Sequence, residues 1–288
     1  MIEWGKDSCR ERAFFCSGPD PGAANVILGA PMDFSASFRP GARFGPEALR
    51  RMSYNLEDYS LQLGKSLADL DFYDGGDLFL PPGNVPRSLD IIERAVEQLL
   101  ARGQRPFILG GDHLVTLPCL RAFTRHYPGL TLVHLDAHAD LREEWLGETL
   151  SHATVVGTAA RTLPLGEIWQ FGIRSATREE HQFALERTHL YPFDFFRPLQ
   201  QVLAQLGGPL YITLDIDVLD PAYAPGTGTP EAGGIPPREL LAGLELLAQS
   251  EVVGFDLVEL IPDDPGDISA ALGAKILREA LLLFGKQP

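Results

Sequence analysis

Residues 130–140 read LTLVHLDAHAD, a short apolar run that ends in acid and imidazole side chains spaced two apart. An apolar segment this short, bounded by turn-forming residues and rich in Val, Leu and Thr, fits a β-strand buried on both faces. In extended chain, residues two apart face the same side, so Asp136 and His138 can converge on one point. Asp140 joins them if the chain turns back after His138. The same pattern recurs upstream and downstream. A strand from Pro106 to Leu109 runs into Gly110-Gly111-Asp112-His113, and one from Leu210 to Leu214 runs into Asp215-Ile216-Asp217.

Outward from these three stretches the chain alternates strand and helix. Further strands are expected over Asn25 to Ala30, Leu67 to Tyr73, Ile168 to Ile173 and Val252 to Val258. Asp74-Gly75-Gly76-Asp77 reads as a break. Helices are expected from Pro46, from a cap at Ser88, and over Leu117 to Phe123, Leu199 to Leu206, Pro237 to Ala248 and Ile268 to Phe284. Apolar strands separated by helices predict an α/β protein with a parallel sheet covered on both faces, a three-layer α/β/α sandwich. A closed eight-fold barrel shares this periodicity and stays open as an alternative. No linker divides residues 1–288, so one domain is expected, with residues 1–24 as an amino-terminal arm.

In a parallel sheet all carboxyl ends point one way and ligands bind outside them. The three strand ends therefore deliver His113, Asp136, His138, Asp140, Asp215 and Asp217 to one edge. Imidazole and carboxylate donors without thiolate favour manganese ahead of magnesium, zinc, cobalt or iron. So many carboxylates oppose one another's ionisation in a low-dielectric cleft. Two divalent cations relieve that repulsion, whereas one leaves most of it. His126, His134, His181 and His189 read as structural, with His134 as support behind Asp136.

Composition narrows the field further. With 24 Lys and Arg against 39 Asp and Glu, the net charge of −15 repels phosphate backbones and anionic lipid, so neither nucleic acid nor a membrane is an expected partner. No apolar stretch approaches the roughly 20 residues of a membrane span, and MIEWGKDSCRER lacks the form of a signal peptide. A cytoplasmic protein is the expectation. Cys9, Cys16 and Cys119 offer neither a disulfide framework nor a zinc knuckle. Gly110-Gly111 lacks the spacing and the Lys of a phosphate loop. The stretch from Pro221 to Pro237, with GTGTPEAGG at its centre, reads as an active-site wall in which Thr229 and Glu231 are candidate substrate contacts.

Taken in order, GAPMDFSASFRPGARFGPEALR (29–50), GGDH (110–113), DAHAD (136–140), SHAT (151–154), GIRS (172–175), DIDVLDPAYAPGTGTPEAGG (215–234) and FDLVEL (255–260) resemble the ureohydrolases, the group that contains arginase and agmatinase. The similarity is greatest to bacterial agmatinases. The resemblance implies an arginase-type sandwich around an eight-stranded, mostly parallel sheet and two Mn²⁺ ions per subunit. It implies that His113, Asp136, Asp140 and Asp215 hold one ion and that Asp136, His138, Asp215 and Asp217 hold the other. Glu259 matches the carboxylate that grips a substrate guanidinium, and His152 a His that shuttles protons or contacts substrate. Homotrimers or homohexamers are the implied assemblies.

The implied reaction is hydrolysis of agmatine to putrescine and urea by a hydroxide bridging the two ions, with Asp140 passing a proton to the leaving amine. LREEWLGETL at 141–150 and Ser175 depart from the arginase pattern that reads the amino-acid head of arginine. Glu143, Glu144 or Glu148 could form an acidic rim for the distal ammonium of the substrate. Ala153 follows the shuttle-position His, and IPDDPGD after Glu259 suggests a rearranged loop. Aminopropylagmatine, guanidinobutyrate and arginine stay open as substrates, as does a non-catalytic metal-binding relative.

Overall fold

Short segments that are apolar on both sides cannot lie at a surface, and the chain buries them at the centre of an open sheet. The computed structural model describes residues 13–262 and 267–287. Its central strands are β1 (Asn25–Ala30), β4 (Phe72–Asp77), β5 (Arg105–Gly110), β6 (Thr131–Leu135), β7 (Ile168–Phe171), β8 (His189–Tyr191), β9 (Leu210–Asp215) and β10 (Val252–Val258). They lie in the order β4-β1-β5-β10-β9-β6-β7-β8, and every pairing is parallel. Strands β2 (Tyr59–Ser60) and β3 (Lys65–Ser66) form a separate antiparallel hairpin. The sheet has two edges, β4 and β8, so the barrel alternative is discarded and the three-layer arrangement stands.

Each strand divides its side chains between two cores with period two. Phe107 and Leu109 of β5, Val133 and Leu135 of β6, and Ile212 and Leu214 of β9 pack toward one face. That face is covered by α1 (Gly45–Ser53), α6 (Phe196–Val202), α7 (Pro237–Leu247) and α8 (Ile268–Phe284). Ile108, Leu132 and Tyr211 point to the opposite face. There α2 (Val85–Ala101), α3 (Thr116–His126), α4 (Val155–Thr162) and α5 (Arg178–Arg187) complete the sandwich.

Where boundaries differ from the sequence reading, a polar contact explains the shift. Leu67–Asp69 is a 3₁₀ turn capped by Ser66, and the strand runs on through Asp74-Gly75-Gly76-Asp77, the expected break. Those aspartates fit a buried strand because Arg50 of α1 bonds to Asp74 at 2.7 and 3.0 Å and also to Asp77. Helix α2 is capped by Asn84, whose side chain accepts from Arg87 N at 3.1 Å, while Ser88 lies one turn inside. The charged α5 and the three-residue edge strand β8 lack the apolar pattern that would reveal them. Of the expected amino-terminal arm, residues 1–12 lie outside the described residues; farther along, Phe14 is buried and its N–H donates to Asp74 at 2.8 Å. Most of the loop expected to be rearranged after Glu259, residues 263–266, is likewise outside them. Among the described residues no helix is long and apolar enough to cross a membrane.

Arg50 and Asp74 are 5% and 3% exposed, so removing the cation strands a buried carboxylate. Arg50→Met should lower the unfolding free energy in urea by about 3–5 kcal/mol, and adding Asp74→Leu should recover much of that loss.

Candidate metal centre

Four adjacent strands, β5, β10, β9 and β6, end side by side, and the chain just beyond each of them supplies the site. Beyond β5, Gly111 has no room for a side chain: a Cβ there would lie 1.7 Å from the carbonyl oxygen of Met32. That close crossing, with Asp112 N donating to Met32 O at 2.6 Å, carries His113 inward. Beyond β6 and β10 the backbone takes a left-handed turn at Asp140 (φ +53°) and at Glu259 (φ +61°). Residues with a Cβ seldom adopt this region, and holding one there costs about 1–3 kcal/mol. Asp140 is thereby turned back toward His113, the reversal that its spacing from His138 requires.

The expected ligands meet. Nδ1 of His113 lies 2.9 Å from Asp136 Oδ2, 3.2 Å from Asp140 Oδ2 and 3.4 Å from Asp215 Oδ2. Nδ1 of His138 lies 3.0 Å from Asp217 Oδ2 and 3.6 Å from Asp136 Oδ1. Two donor groups result, one around His113, Asp136 and Asp140 and one of Asp136, His138 and Asp217, with Asp136 common to both. His134 falls within the first group's radius, but its Nε2 is engaged with Asp136 Oδ2 at 2.8 Å.

The donor set fits divalent cations on two grounds. Nδ1 of His113 is buried among three carboxylates yet makes no hydrogen bond of acceptable geometry. A buried polar atom without a partner calls for a ligand or an ion. Electrostatics agree. Burial and the charges of Asp217 and Asp136 push the Asp215 carboxyl well above its usual range, and burial with Asp136 raises Asp217. Burial disfavours a charged His138, but Asp217 and Asp136 outweigh it and push the imidazole up to about 12. His113 is also raised well above its ordinary value: burial opposes its charge, and Asp136, Asp140 and Asp215 prevail. Protons thus hold the place of missing positive charge.

Beneath this layer runs a row of polar groups that sequence reading largely missed. Gln170 of β7, His134 of β6, Thr213 of β9 and Asp256 of β10 are register partners across four neighbouring strands, and all are fully buried. Asp256 accepts from Thr213 Oγ1 at 2.6 Å, Tyr211 Oη at 2.7 Å and Thr116 Oγ1 at 2.9 Å. Because the Thr213 hydroxyl donates to Asp256, it accepts from His113 Nε2 at 2.8 Å. That leaves Nδ1 as the nitrogen facing the carboxylates, the orientation a metal-ligating imidazole needs. The available signal was an Asp inside the apolar strand Val252–Val258.

A pocket of about 230 Å³ opens beside the carboxylates and is lined by His138, Asp140, His152 and Thr229. His152 is fastened from three sides: its N–H donates to Ser35 Oγ at 3.0 Å, and its ring nitrogens lie 3.1 Å from Ser37 Oγ and 3.3 Å from Ser151 Oγ. Ser35 in turn donates to buried Asp112 at 2.8 Å. Glu259 accepts from His113 N at 2.8 Å, and its own N–H bonds Gly111 O at 2.8 Å. Burial and the neighbouring Asp112 raise the Glu259 carboxyl well above its usual range. Glu231 contributes its main-chain carbonyl to Arg174 at 2.8 Å, and its side chain is not among the groups lining the pocket. Arg174, unassigned from sequence, also holds Asp217 O at 2.6 Å and so ties the Thr229 loop to the turn that follows β9. The expected acidic rim is corrected: Glu143, Glu144 and Glu148 are exposed and do not line the pocket, whose lining includes Arg142, Trp145 and Glu180 instead.

Because the carboxylates raise both His113 and His138 above the ordinary imidazole range and ligation requires neutral imidazoles, loading should release protons. Calorimetric titration with Mn²⁺ at pH 7.5 in buffers of different ionisation enthalpy should register that release. Heats independent of the buffer would contradict the site's electrostatics.

Comparison with known proteins agrees with this geometry. A model described as the Arginase family matches residues 23–283. The agmatinase of Bacillus subtilis (strain 168) is 48% identical over 281 residues, 96% of this chain and 97% of that protein. A guanidinobutyrase of Pseudomonas aeruginosa is 36% identical over 277 residues, 90% of this chain and 86% of that one. Among solved structures, proclavaminate amidino hydrolase from Streptomyces clavuligerus superimposes with a TM-score of 0.88 at 31% identity, covering 96% of this chain and 98% of that one. On the family match, the shared fold and the identity to these enzymes, the chain belongs to the arginase family and is an amidinohydrolase.

Proposed function

We propose that the enzyme hydrolyses the guanidino group of agmatine, yielding putrescine and urea, with two Mn²⁺ ions per subunit. The observation that carries this reading is the meeting of His113, Asp136, Asp140 and His138 with Asp215 and Asp217 around one shared carboxylate. His113, Asp136, Asp140 and Asp215 would hold one ion, and Asp136, His138, Asp215 and Asp217 the other. When bound, the pair lowers the pKa of a water from about 15.7 toward neutrality, which the poorly electrophilic guanidinium carbon demands. Manganese suits a donor set of imidazole and carboxylate. The reading includes a cytoplasmic homotrimer or homohexamer, as the family resemblance implies.

The remaining steps fall to side chains. Glu259 and Asp112 crowd two carboxylates together, and a cationic guanidinium relieves the repulsion that raises Glu259. The planar N–H fork of the substrate matches a carboxylate and aligns the reacting carbon. Asp140 borders both the donor group and the pocket, so it can take a proton from the attacking water and return it to the leaving amine. His152, fixed by Ser35, Ser37 and Ser151, stands ready to relay that proton onward. Thr229 contributes to the wall around the alkyl chain, and Glu231 supports that wall through Arg174.

Guanidinobutyrate is the second reading, favoured by Arg142 in the pocket lining, a cation that could meet a substrate carboxylate. Arg142 is already engaged by Glu180 at 3.4 Å and stacked on Trp145 at 4.1 Å, which favours agmatine. The high identity to an agmatinase supports the same choice.

Urea release from agmatine, guanidinobutyrate, aminopropylagmatine and arginine in the presence of Mn²⁺ tests the proposal. Agmatine should give the highest kcat/KM, and no urea from any of the four would overturn the reading. Glu259→Gln should keep two ions and lose about 10- to 100-fold in kcat/KM, the worth of a charge-assisted hydrogen bond of about 1.5–3 kcal/mol. His152→Asn should lower kcat by about 10²–10⁴-fold if it relays protons, whereas an unchanged kcat would assign it to binding alone.

A further inference from the structure

Asp136 lies at the junction of both donor groups, and the groups behind it decide which lone pairs it can offer. An ionised carboxylate has about four acceptor sites, two on each oxygen. Oδ1 of Asp136 accepts from the backbone N–H of His138 at 2.6 Å, and Oδ2 lies 2.8 Å from Nε2 of His134. Whether that second contact is a hydrogen bond depends on which nitrogen of His134 carries the proton.

Gln170 answers the question. Its Nε2 lies 2.9 Å from the carbonyl oxygen of Ala139, which only an N–H can satisfy. At the other end, Oε1 accepts from Thr188 Oγ1 at 3.0 Å. The Ala139 carbonyl therefore sets the orientation of the amide, with Oε1 turned to a Thr188 hydroxyl that also reaches Ala184 O at 3.2 Å, and the contact from Gln170 Nε2 to His134 Nδ1 at 2.9 Å is a donation into the ring. Nδ1 is the acceptor, so the proton resides on Nε2 and points to Asp136. All three side chains are fully buried, so water does not compete.

We propose that Gln170 is a positioning residue: by fixing the His134 proton on Nε2, it makes His134 a donor to Asp136 rather than a competing ligand, and holds that carboxylate with one lone pair on each oxygen open to the cations it would serve. The inference rests on the two-ion reading of the site. His134 is then a donor to a ligand and is excluded from the ligand set, although its nitrogen lies within reach of the first donor group. In the opposite tautomer the Nε2 lone pair would face the Asp136 carboxylate, a repulsion that only a rotation of the carboxylate relieves.

Long-range ¹H–¹⁵N spectra of the metal-free chain labelled at histidine distinguish the two tautomers directly. The unaltered chain should give the Nε2–H pattern for His134, assigned by its loss in His134→Gln; an Nδ1–H pattern overturns the inference whatever the variants do. Gln170→Glu gives Nδ1 a carboxylate as Asp136 does Nε2, so both nitrogens should carry protons and the neutral Nε2–H pattern should be lost; Gln170→Met, which retains volume without a donor, no longer opposes a proton on Nδ1 and should weaken that pattern. Stepwise Mn²⁺ titration should then find the second ion bound about 10- to 100-fold more weakly in both variants, the usual effect of losing a partner behind a ligand. Should Gln170→Glu fail to fold, Gln170→Met carries the comparison. Two ions bound with unchanged affinity in the variants would overturn this inference alone. A single ion in the unaltered chain would remove the two-ion reading and the inference together.

Discussion

Carboxylates that crowd together out of water repel, and at the carboxyl edge of this sheet Asp136, Asp140, Asp215 and Asp217 are all buried. At short range in a low dielectric, that repulsion exceeds the free energy of most single contacts. Such a cluster persists only if positive charge is delivered to it. In the chain alone the carboxylates push both His113 and His138 upward, favouring their protonated forms, and the donor chemistry equally suits divalent metal. Glu259 beside Asp112 repeats the theme: burial and that neighbour raise its carboxyl well above the usual range, although His113 partly offsets them.

The parallel sheet turns this local demand into a layered structure. Strand register brings Gln170, His134, Thr213 and Asp256 into one row, and on the same face two residues further on, Asp136 and Asp215 stand above His134 and Thr213. The lower row is hydrogen-bonded throughout and orients the upper one. His113 receives its direction from Thr213 and Asp256, and Asp136 receives its own from His134. The arrangement explains how an apolar sheet tolerates polar groups at its centre: each has a named partner, and together they support the groups that face solvent-borne ligands.

Much of this was legible in the residues. The convergence of Asp136 with His138 and of Asp215 with Asp217 was readable from their alternate spacing at strand ends, Asp140 required the further condition of a reversal after His138, and apolar strands between helices determine the layers. Strand β4 was misjudged because its aspartates need Arg50, a partner 24 positions away from Asp74 that no local pattern discloses. The row beneath the site was hidden for a similar reason: Gln170 and Thr213 acquire meaning only through cross-strand register, and only Asp256 stands out as a charge in an apolar run. The rim glutamates were misplaced because spacing in a loop does not say which side chains turn inward. Beyond the expected ligands, His152 and Thr229 do border the pocket, but two of the three serines that hold His152, Ser35 and Ser37, come from a loop more than a hundred residues earlier.

The left-handed backbone at Asp140 and Glu259 has an evolutionary corollary. Glycine or asparagine would suit either backbone conformation better, so aspartate and glutamate persist there at a conformational cost that their carboxylates must offset. A lineage that no longer needed those carboxylates would relieve that cost by drifting toward glycine at these two sites while its apolar core stayed intact. In such descendants the decay of activity would be recorded at these two backbone positions before it reached the fold.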